Sequence, residues 1–277
     1  MSSKKSRQAK IVPKRTKLIQ KLAYILRPFV VYMLVKTFAM LFLAIAIPAL
    51  PITGISEWVE QNSNPLSAAV NGAASMIAVC FLLKDFLIET DTSGEIDIDR
   101  GTLSQLVHFF KNGFLGYEKQ KKKKKKGKKA GGMLLCIILG ISASFVLNLL
   151  IELVTELIQR QGTLGSEKYE VVETIQYSVP IWLGILLYGV VSPLVEEMVF
   201  RGVVYNRIKR FYNVPKAVVC SALLFGMFHG NLPQFLYGTV MGIIIALCYE
   251  HLNCFAAPVL VHMSANIFVF LLSSLTI

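Results

Sequence analysis

Long apolar runs recur along this chain, and they restrict its fold more than any other feature. A transmembrane helix needs about 20 mainly apolar residues, and a helix satisfies its own backbone hydrogen bonds within lipid. Seven stretches approach or reach this length: 29–50, 66–84, 133–153, 176–195, 216–230, 232–250 and 255–276. The sequence therefore predicts an all-α, polytopic membrane bundle of about seven transmembrane helices, of which the fifth is short.

The overall composition argues for a membrane protein and against a soluble one. Hydrophobic residues make up 54% of the chain and charged residues 17%. A typical soluble domain has about 25% charged residues, so this chain carries too few to cover a water-exposed surface of ordinary composition. The apolar runs thus belong to a chain whose main solvent is the bilayer.

The positive charge of the chain is concentrated in two short segments. The formal net charge is +12, and residues 1–28 and 119–129 each hold nine of the 29 Lys and Arg residues. Such runs occur in nucleic-acid-binding proteins, but these two flank membrane spans and contain no recognition motif. We therefore expect the lysine-rich run to contact anionic lipids, and we expect no nucleic-acid partner.

The distribution of basic residues also predicts an orientation in the membrane. Lys and Arg are enriched on the cytosolic side of membrane proteins. The basic segments 1–28, 85–132 and 201–216 all fall on one side if the N-terminus is cytosolic. Because no organelle-targeting signal is visible, we expect a multi-pass protein of the cell membrane with a cytosolic N-terminus.

Polar side chains interrupt the C-terminal apolar runs at three places. The clusters are Glu196, Glu197 and Arg201; Phe225 and His229; and His262 and Asn266. Ionisable groups at membrane depth are costly and usually functional. Within each cluster two residues are spaced i,i+4, so they share one helix face. The three clusters therefore predict one polar site inside the helix bundle.

The residue types of this site favour hydrolytic chemistry. A carboxylate beside histidines can deprotonate a water molecule and later return the proton to a leaving amine. Asn266 and one histidine could donate hydrogen bonds to an oxyanion. Alternatively, Glu196, His229 and His262 could bind Zn²⁺, since two histidines and a carboxylate are plausible zinc ligands. Both chemistries remain open at this stage.

The main difficulty for a site shared by the three clusters is that they are predicted at different depths in the membrane. Glu196 is predicted near the inner end of the fourth span, and His262 only a few residues into the seventh. His229 closes the fifth span, about 20 Å from the inner surface if that helix is upright. The clusters therefore converge only if the fifth helix is tilted or partly re-entrant.

The motifs EExxxR, FxxxH and HxxxN, in this order, resemble those of the CAAX protease and bacteriocin-processing family, also called the CPBP or Abi family. The resemblance covers roughly residues 176–277 and includes Pro193 and the triplet Phe200-Arg201-Gly202. It divides the chain into a basic tail (1–28), an N-terminal transmembrane region (29–153) with a lysine-rich cytosolic loop (85–132), and a catalytic domain (176–277). The implied activity is that of a type II CAAX prenyl protease-like intramembrane endopeptidase.

This resemblance also implies roles for individual residues. Glu196 would be the general base, with His229 helping to hold and activate the water. His262 and Asn266 would stabilise the oxyanion, and Glu197 and Arg201 would orient the site. The implied substrate is a membrane-associated or lipidated peptide. Members of the family are often named metalloproteases, whereas the glutamate-activated water needs no metal.

Two other functions are compatible with parts of the sequence. A secondary transporter also places ionisable groups at mid-bilayer, but it predicts repeated halves, and no internal repeat is visible. A non-catalytic membrane scaffold or bacteriocin self-immunity protein could use the same fold. Intact motifs favour an enzyme over such a scaffold.

We expect a peptide of residues 117–132 to bind vesicles that contain an anionic lipid. Each Lys near such a surface contributes about 1 kcal/mol, so replacing all nine lysines by glutamine should weaken binding more than 100-fold. Vesicle co-sedimentation measures this, with phosphatidylcholine vesicles as the uncharged control. Equal binding of the two peptides to anionic vesicles would contradict the predicted lipid contact.

Overall fold

The computed structural model describes residues 17–91, 101–115, 126–160 and 176–275. Within these ranges every regular element is helical, which confirms the predicted all-α class. In chain order the helices are α1 (Leu18–Ala46), α2 (Ile55–Gln61), α3 (Ser63–Cys80), α4 (Leu83–Thr90), α5 (Thr102–His108), α6 (Lys126–Arg160), α7 (Ile181–Phe211), α8 (Val214–Met227), α9 (Leu232–Leu252) and α10 (Ala256–Ser274).

Five helices are long and apolar enough to cross a membrane: α1, α6, α7, α9 and α10. Helices α3 and α4 together make a sixth candidate span, bent by 61° at their junction. The described residues thus give five or six spans where about seven were predicted. The difference arises at α8, because its 14 residues rise only about 21 Å, less than the hydrocarbon core of a bilayer.

Helix α7 corrects the predicted boundary of the fourth span. The prediction ended this span at residue 195 and placed 201–216 in a basic inner segment, but the helix continues to Phe211. Arg201 and Arg207 can be buried in this continuation of the helix because each of them is paired with a carboxylate. Glu196 therefore lies fifteen residues from either end of α7, at the midpoint of that helix.

The backbone of α7 changes its winding around the glutamates. Residues Ile185–Val191 and Met198–Tyr205 are π-helical, and the α-helical turn Ser192–Glu197 lies between them. π-Helical turns are wider than α-helical ones and are frequent at functional sites. The wider turns change the directions in which side chains leave the helix. A regular 3.6-residue period therefore does not predict which neighbouring helices Glu196 and Glu197 face.

Helices α8 and α9 pack closely through small residues. A Cβ atom on Gly226 would overlap Thr239, and one on Gly242 would lie 3.1 Å from Cα of Ala222. Gly238 faces Gly226 across the same contact. Small residues four apart on both helices allow the backbones to approach, as in many membrane helix pairs. This contact holds the end of α8, and with it His229, against α9.

An ion-pair network joins α1, α4 and α7 outside the predicted site. Glu89, with a side chain only 2% exposed, pairs with Arg207 at 3.1 Å and with Arg210 at 2.7 Å. Arg207 also pairs with Asp85 at 2.8 Å and donates to the Tyr24 carbonyl oxygen at 2.9 Å. The network fixes the bent α3–α4 segment against α7, the helix that carries the glutamates.

Most of the lysine-rich run lies outside the described residues. Residues 126–129 form the first turn of α6, while 116–125 and 1–16 are not described. The expected contact of this run with anionic lipid stays a prediction.

We expect Glu89→Ala to lower the free energy of unfolding by about 3 kcal/mol, because it leaves two arginines without their buried carboxylate. Equilibrium unfolding in mixed detergent and SDS micelles measures this. Glu60→Ala is the matched control, since Glu60 is exposed on α2. Equal stability of the two variants would contradict a structural role for the network.

Candidate active site

A cavity of about 580 Å³ lies within the bundle, and all four residues predicted to be catalytic line it. Glu196 comes from α7, His229 follows the end of α8, and His262 and Asn266 come from α10. The remaining walls are formed by residues of α1, α3, α6 and α9. The structure thus brings the three sequence clusters together around one space.

Glu196 presents a largely buried carboxylate at the cavity wall. It is 6% exposed, and its Oε1 accepts a hydrogen bond of 2.5 Å from Ser192 Oγ, one turn earlier on α7. Its Oε2 lies 3.8 Å from His262 Nε2, too far for a direct hydrogen bond. One carboxylate oxygen is therefore held by Ser192, while the other faces the histidine across a gap.

Glu197 points away from the cavity and joins three helices. It is fully buried, and its Oε1 accepts hydrogen bonds from Arg201 Nη1 at 2.9 Å and from His262 Nδ1 at 2.8 Å. Arg201, also fully buried, donates from Nη2 to the carbonyl oxygen of Gly242 on α9 at 3.0 Å. This network, Glu197–Arg201–His262, connects α7, α9 and α10 directly behind the cavity wall.

Phe225 occupies the centre of the site and contacts a member of each polar cluster. Its ring centroid lies 4.6 Å from the Arg201 guanidinium carbon. The imidazoles of His229 and His262 meet the same ring nearly at right angles, with centroid distances of 5.2 and 5.4 Å. The phenylalanine four residues before His229 therefore sets the spacing between the two histidines and covers the buried arginine.

His229 reaches the cavity because α8 stops inside the bundle. The helix ends at Met227, and Gly230 turns the chain with a φ of +76°, a conformation that favours glycine. His229 Nδ1 donates to the Phe225 carbonyl oxygen at 3.0 Å, which leaves Nε2 of the neutral ring as an acceptor. The short helix, which the sequence analysis required to be tilted or re-entrant, delivers this group to the depth of Glu196.

Asn266 is oriented by the backbone of α7. Its Nδ2 donates to the Tyr188 carbonyl oxygen at 3.0 Å, within the π-helical segment before the glutamates. An amide nitrogen carries two hydrogens, so one of them remains for a group in the cavity. The predicted donor is thus held by a hydrogen bond that no sequence pattern could reveal.

The metal site that the sequence left open as an alternative is not preformed by the described side chains. Within the described residues, no group of three or more His, Cys, Asp and Glu side chains is arranged to hold a metal ion. His262 directs its Nδ1 at Glu197, and His229 directs its Nδ1 at a backbone carbonyl. These bonds leave Nε2 of each ring for the cavity, so Glu196, His229 and His262 are the residues that would hold a metal ion if one bound there.

Two further residues belong to the site although the sequence analysis did not place them there. Ser192 holds the carboxylate of Glu196, and its i,i+4 spacing from that residue was a usable signal. Lys36 of α1, a charged residue within the first predicted span, lines the same cavity. Its position could not be read from sequence, since α1 and α7 are far apart in the chain.

A family model matches the C-terminal part of the chain, and two curated proteins are similar to parts of it. The family model for type II CAAX prenyl endopeptidases, Rce1-like, matches residues 178–268, and this confirms the resemblance predicted from the three motifs. A candidate membrane peptidase of Bacillus subtilis (strain 168), YdiL, is 28% identical over 104 residues, 38% of this chain and 42% of its own length. The membrane-embedded CAAX protease MroQ of Staphylococcus aureus (strain USA300) is 30% identical over 134 residues, 45% of this chain and 53% of its own length.

These matches thus span about half the length of the curated relatives. No solved structure matches the chain significantly.

We expect Arg201→Lys to destabilise the protein by about 2 kcal/mol, the contribution of one charge-assisted hydrogen bond. A lysine keeps the charge but cannot bond Glu197 and the Gly242 carbonyl in the same fork-like geometry. Unfolding in mixed micelles measures the change. Arg210→Lys serves as control, because Arg210 is 21% exposed and, among the residues that the structure describes, pairs with Glu89 alone. Losses of equal size would argue against a special role for Arg201.

Proposed function

We propose that this protein is an intramembrane endopeptidase that hydrolyses a peptide bond in a membrane-associated or lipidated peptide by means of a glutamate-activated water. The observation that carries the proposal is the convergence of Glu196, His229, His262 and Asn266 on one cavity inside a membrane helix bundle. The match of residues 178–268 to an endopeptidase family and the two similar membrane peptidases support the same reaction class.

Glu196 is the group best placed to act as general base. Ser192 holds its Oε1, so Oε2 is the oxygen that remains for a water molecule in the cavity. A water at about 2.8 Å from Oε2 can also contact His262 Nε2, since those two atoms are 3.8 Å apart. Low exposure of the carboxylate favours proton transfer by limiting competition from bulk solvent.

His229 assists as a hydrogen-bond acceptor. Because its Nδ1 donates to the Phe225 carbonyl, its Nε2 lone pair can accept a hydrogen bond from the attacking water. The perpendicular contact with the Phe225 ring limits rotation of the imidazole. His229 therefore orients the water that Glu196 deprotonates.

His262 and Asn266 are the donors for the developing oxyanion. The remaining amide hydrogen of Asn266 and Nε2–H of His262 both belong to groups on the cavity wall. His262 already donates from Nδ1 to the Glu197 carboxylate, so a second donation from Nε2 requires the imidazolium form. By accepting the Nδ1 hydrogen bond, Glu197 keeps Nε2 of His262 directed toward the cavity, which gives the second glutamate of the motif a definite task.

The reaction then balances without any further group. Glu196 takes a proton from water, and the water oxygen adds to the scissile carbonyl carbon to form a tetrahedral oxyanion. When the C–N bond breaks, Glu196 returns the proton to the leaving nitrogen. The immediate products are a carboxylic acid and an amine, which become a carboxylate and an ammonium ion when the acid gives its proton to the amine, and the carboxylate of Glu196 is restored.

The location follows the same proposal. The helical bundle is that of a multi-pass membrane protein. We place it in the cell membrane with a cytosolic N-terminus, as the distribution of basic residues indicates.

We expect Glu196→Gln to lower kcat at least about 100-fold, because the amide cannot accept the proton. His262→Ala and Asn266→Ala should each cost about 100-fold through loss of an oxyanion donor. The assay is cleavage of lipidated and unlipidated membrane-associated peptides in nanodiscs, followed by mass spectrometry in H₂¹⁸O. One ¹⁸O atom should enter the new C-terminus, and activity should survive a chelator.

His251→Ala is the control, because His251 is exposed near the end of α9. Cleavage that persists in Glu196→Gln would reject the assigned base. Loss of activity on chelation, restored by added Zn²⁺, would reject the glutamate–water mechanism in favour of a metal. If no peptide of the panel is cleaved, the result favours the scaffold or immunity function.

A further inference from the structure

Lys36 introduces a positive charge into the cavity from a part of the chain outside the matched segment. It lies in α1, while the family match covers residues 178–268. Among the described residues that line the cavity, Lys36 is the one Lys or Arg, and Glu196 is the one carboxylate. The cavity therefore has a cationic side and an anionic side.

The ammonium of Lys36 is held by aromatic rings. It lies 4.7 Å from the centroid of Phe228 and 5.9 Å from that of Tyr32. Within the described part of the chain it makes no ion pair, whereas Arg201 and Arg207 each pair with a carboxylate within 3.1 Å. Cation–π contacts replace only part of the hydration of a lysine, so this charge can still accept an anionic partner.

The distance from Lys36 to the reacting groups is that of a short peptide segment. The ring of Phe228 that contacts the ammonium also contacts the His229 imidazole, at a centroid distance of 5.5 Å. Lys36 Nζ is therefore within about 10 Å of that imidazole, which corresponds to about three residues of extended chain. An anion bound by Lys36 would belong to the substrate itself, close to the scissile bond.

Resting on the proposed function, we infer that Lys36 is a specificity-determining residue that binds a carboxylate of the peptide substrate within about three residues of the scissile bond. A peptide has two sources of this group, its C-terminus and its Asp and Glu side chains. Near Glu196 an uncompensated substrate carboxylate is repelled, and Lys36 offsets that repulsion. The enzyme thereby selects peptides that carry a negative charge at this position.

A role as mere counter-ion to Glu196 leads to a different expectation. A counter-ion influences the base whatever the substrate, so removing it changes the cleavage of charged and neutral peptides equally. A substrate-binding lysine changes only the cleavage of peptides with the carboxylate. The ratio of the two rates therefore separates the two roles.

The test uses a peptide cleaved by the wild-type protein in phosphatidylcholine nanodiscs, together with matched neutral versions. In one version the C-terminal carboxylate is a carboxamide; in others each Asp or Glu within three residues of the scissile bond is replaced by Asn or Gln. We expect kcat/KM to fall about tenfold for one of these replacements, the value of one charge-assisted contact. The replacement that lowers the rate identifies the source of the carboxylate.

The variants Lys36→Met and Lys36→Arg complete the test, with Lys21→Met as control. Lys21 lies on the same helix and contacts the ring of Phe211 outside the cavity. We expect Lys36→Met to bring the charged-to-neutral ratio of kcat/KM near one. Lys36→Arg and Lys21→Met should keep the preference.

Three outcomes would overturn the inference. The wild-type protein could cleave charged and neutral peptides equally, which needs no variant and so does not depend on folding of a mutant. Lys36→Met could lower both rates by the same factor, as a counter-ion would. The cleaved peptide could contain no carboxylate within three residues of the scissile bond. Cleavage that persists in Glu196→Gln would instead reject the assigned base and leave the charge preference measurable.

Discussion

The structure depends on how a buried carboxylate is neutralised inside an apolar bundle. Glu197 is fully enclosed, and its Oε1 is bonded to both Arg201 and His262. Removing charges from water is costly unless opposite charges and hydrogen bonds replace the lost hydration. Because the partners come from α7 and α10, and Arg201 reaches the Gly242 carbonyl of α9, these three helices cannot separate without exposing an unpaired charge.

This network explains why two adjacent glutamates can have different tasks. Glu196 and Glu197 both lie in the α-helical turn Ser192–Glu197, where successive side chains point about 100° apart, so when Glu197 faces the helix contact, Glu196 faces the cavity. Glu197 then holds His262 in one orientation, and Glu196 keeps one oxygen for chemistry. Phe225 packs against both histidines and the arginine, so the apolar member of the three motifs determines the spacing of the polar ones.

The same pairing of charges explains where prediction from sequence went wrong. The apolar run ended the predicted fourth span at residue 195, and the count of basic residues then placed Arg201 and Arg207 in an inner segment. Both arginines are buried beside carboxylates, and Arg207 finds its partners Asp85 and Glu89 more than a hundred residues earlier in the chain. Positive charge indicates the cytosolic side only where it is exposed, and that depends on tertiary partners.

The sequence by itself determined the helical membrane class, because long apolar runs leave few alternatives in a bilayer. It also identified the motif residues, because ionisable groups are rare within transmembrane helices. Tertiary structure alone decided that α7 extends to Phe211, that α8 ends within the bundle, and that Lys36 lies beside the cavity. Each of these depends on contacts between residues distant in the chain, such as the helix approach at Gly226 or the pairing of Arg207 with Glu89. Local patterns report the faces of a helix, but the partner that each face meets is determined only when the helices pack.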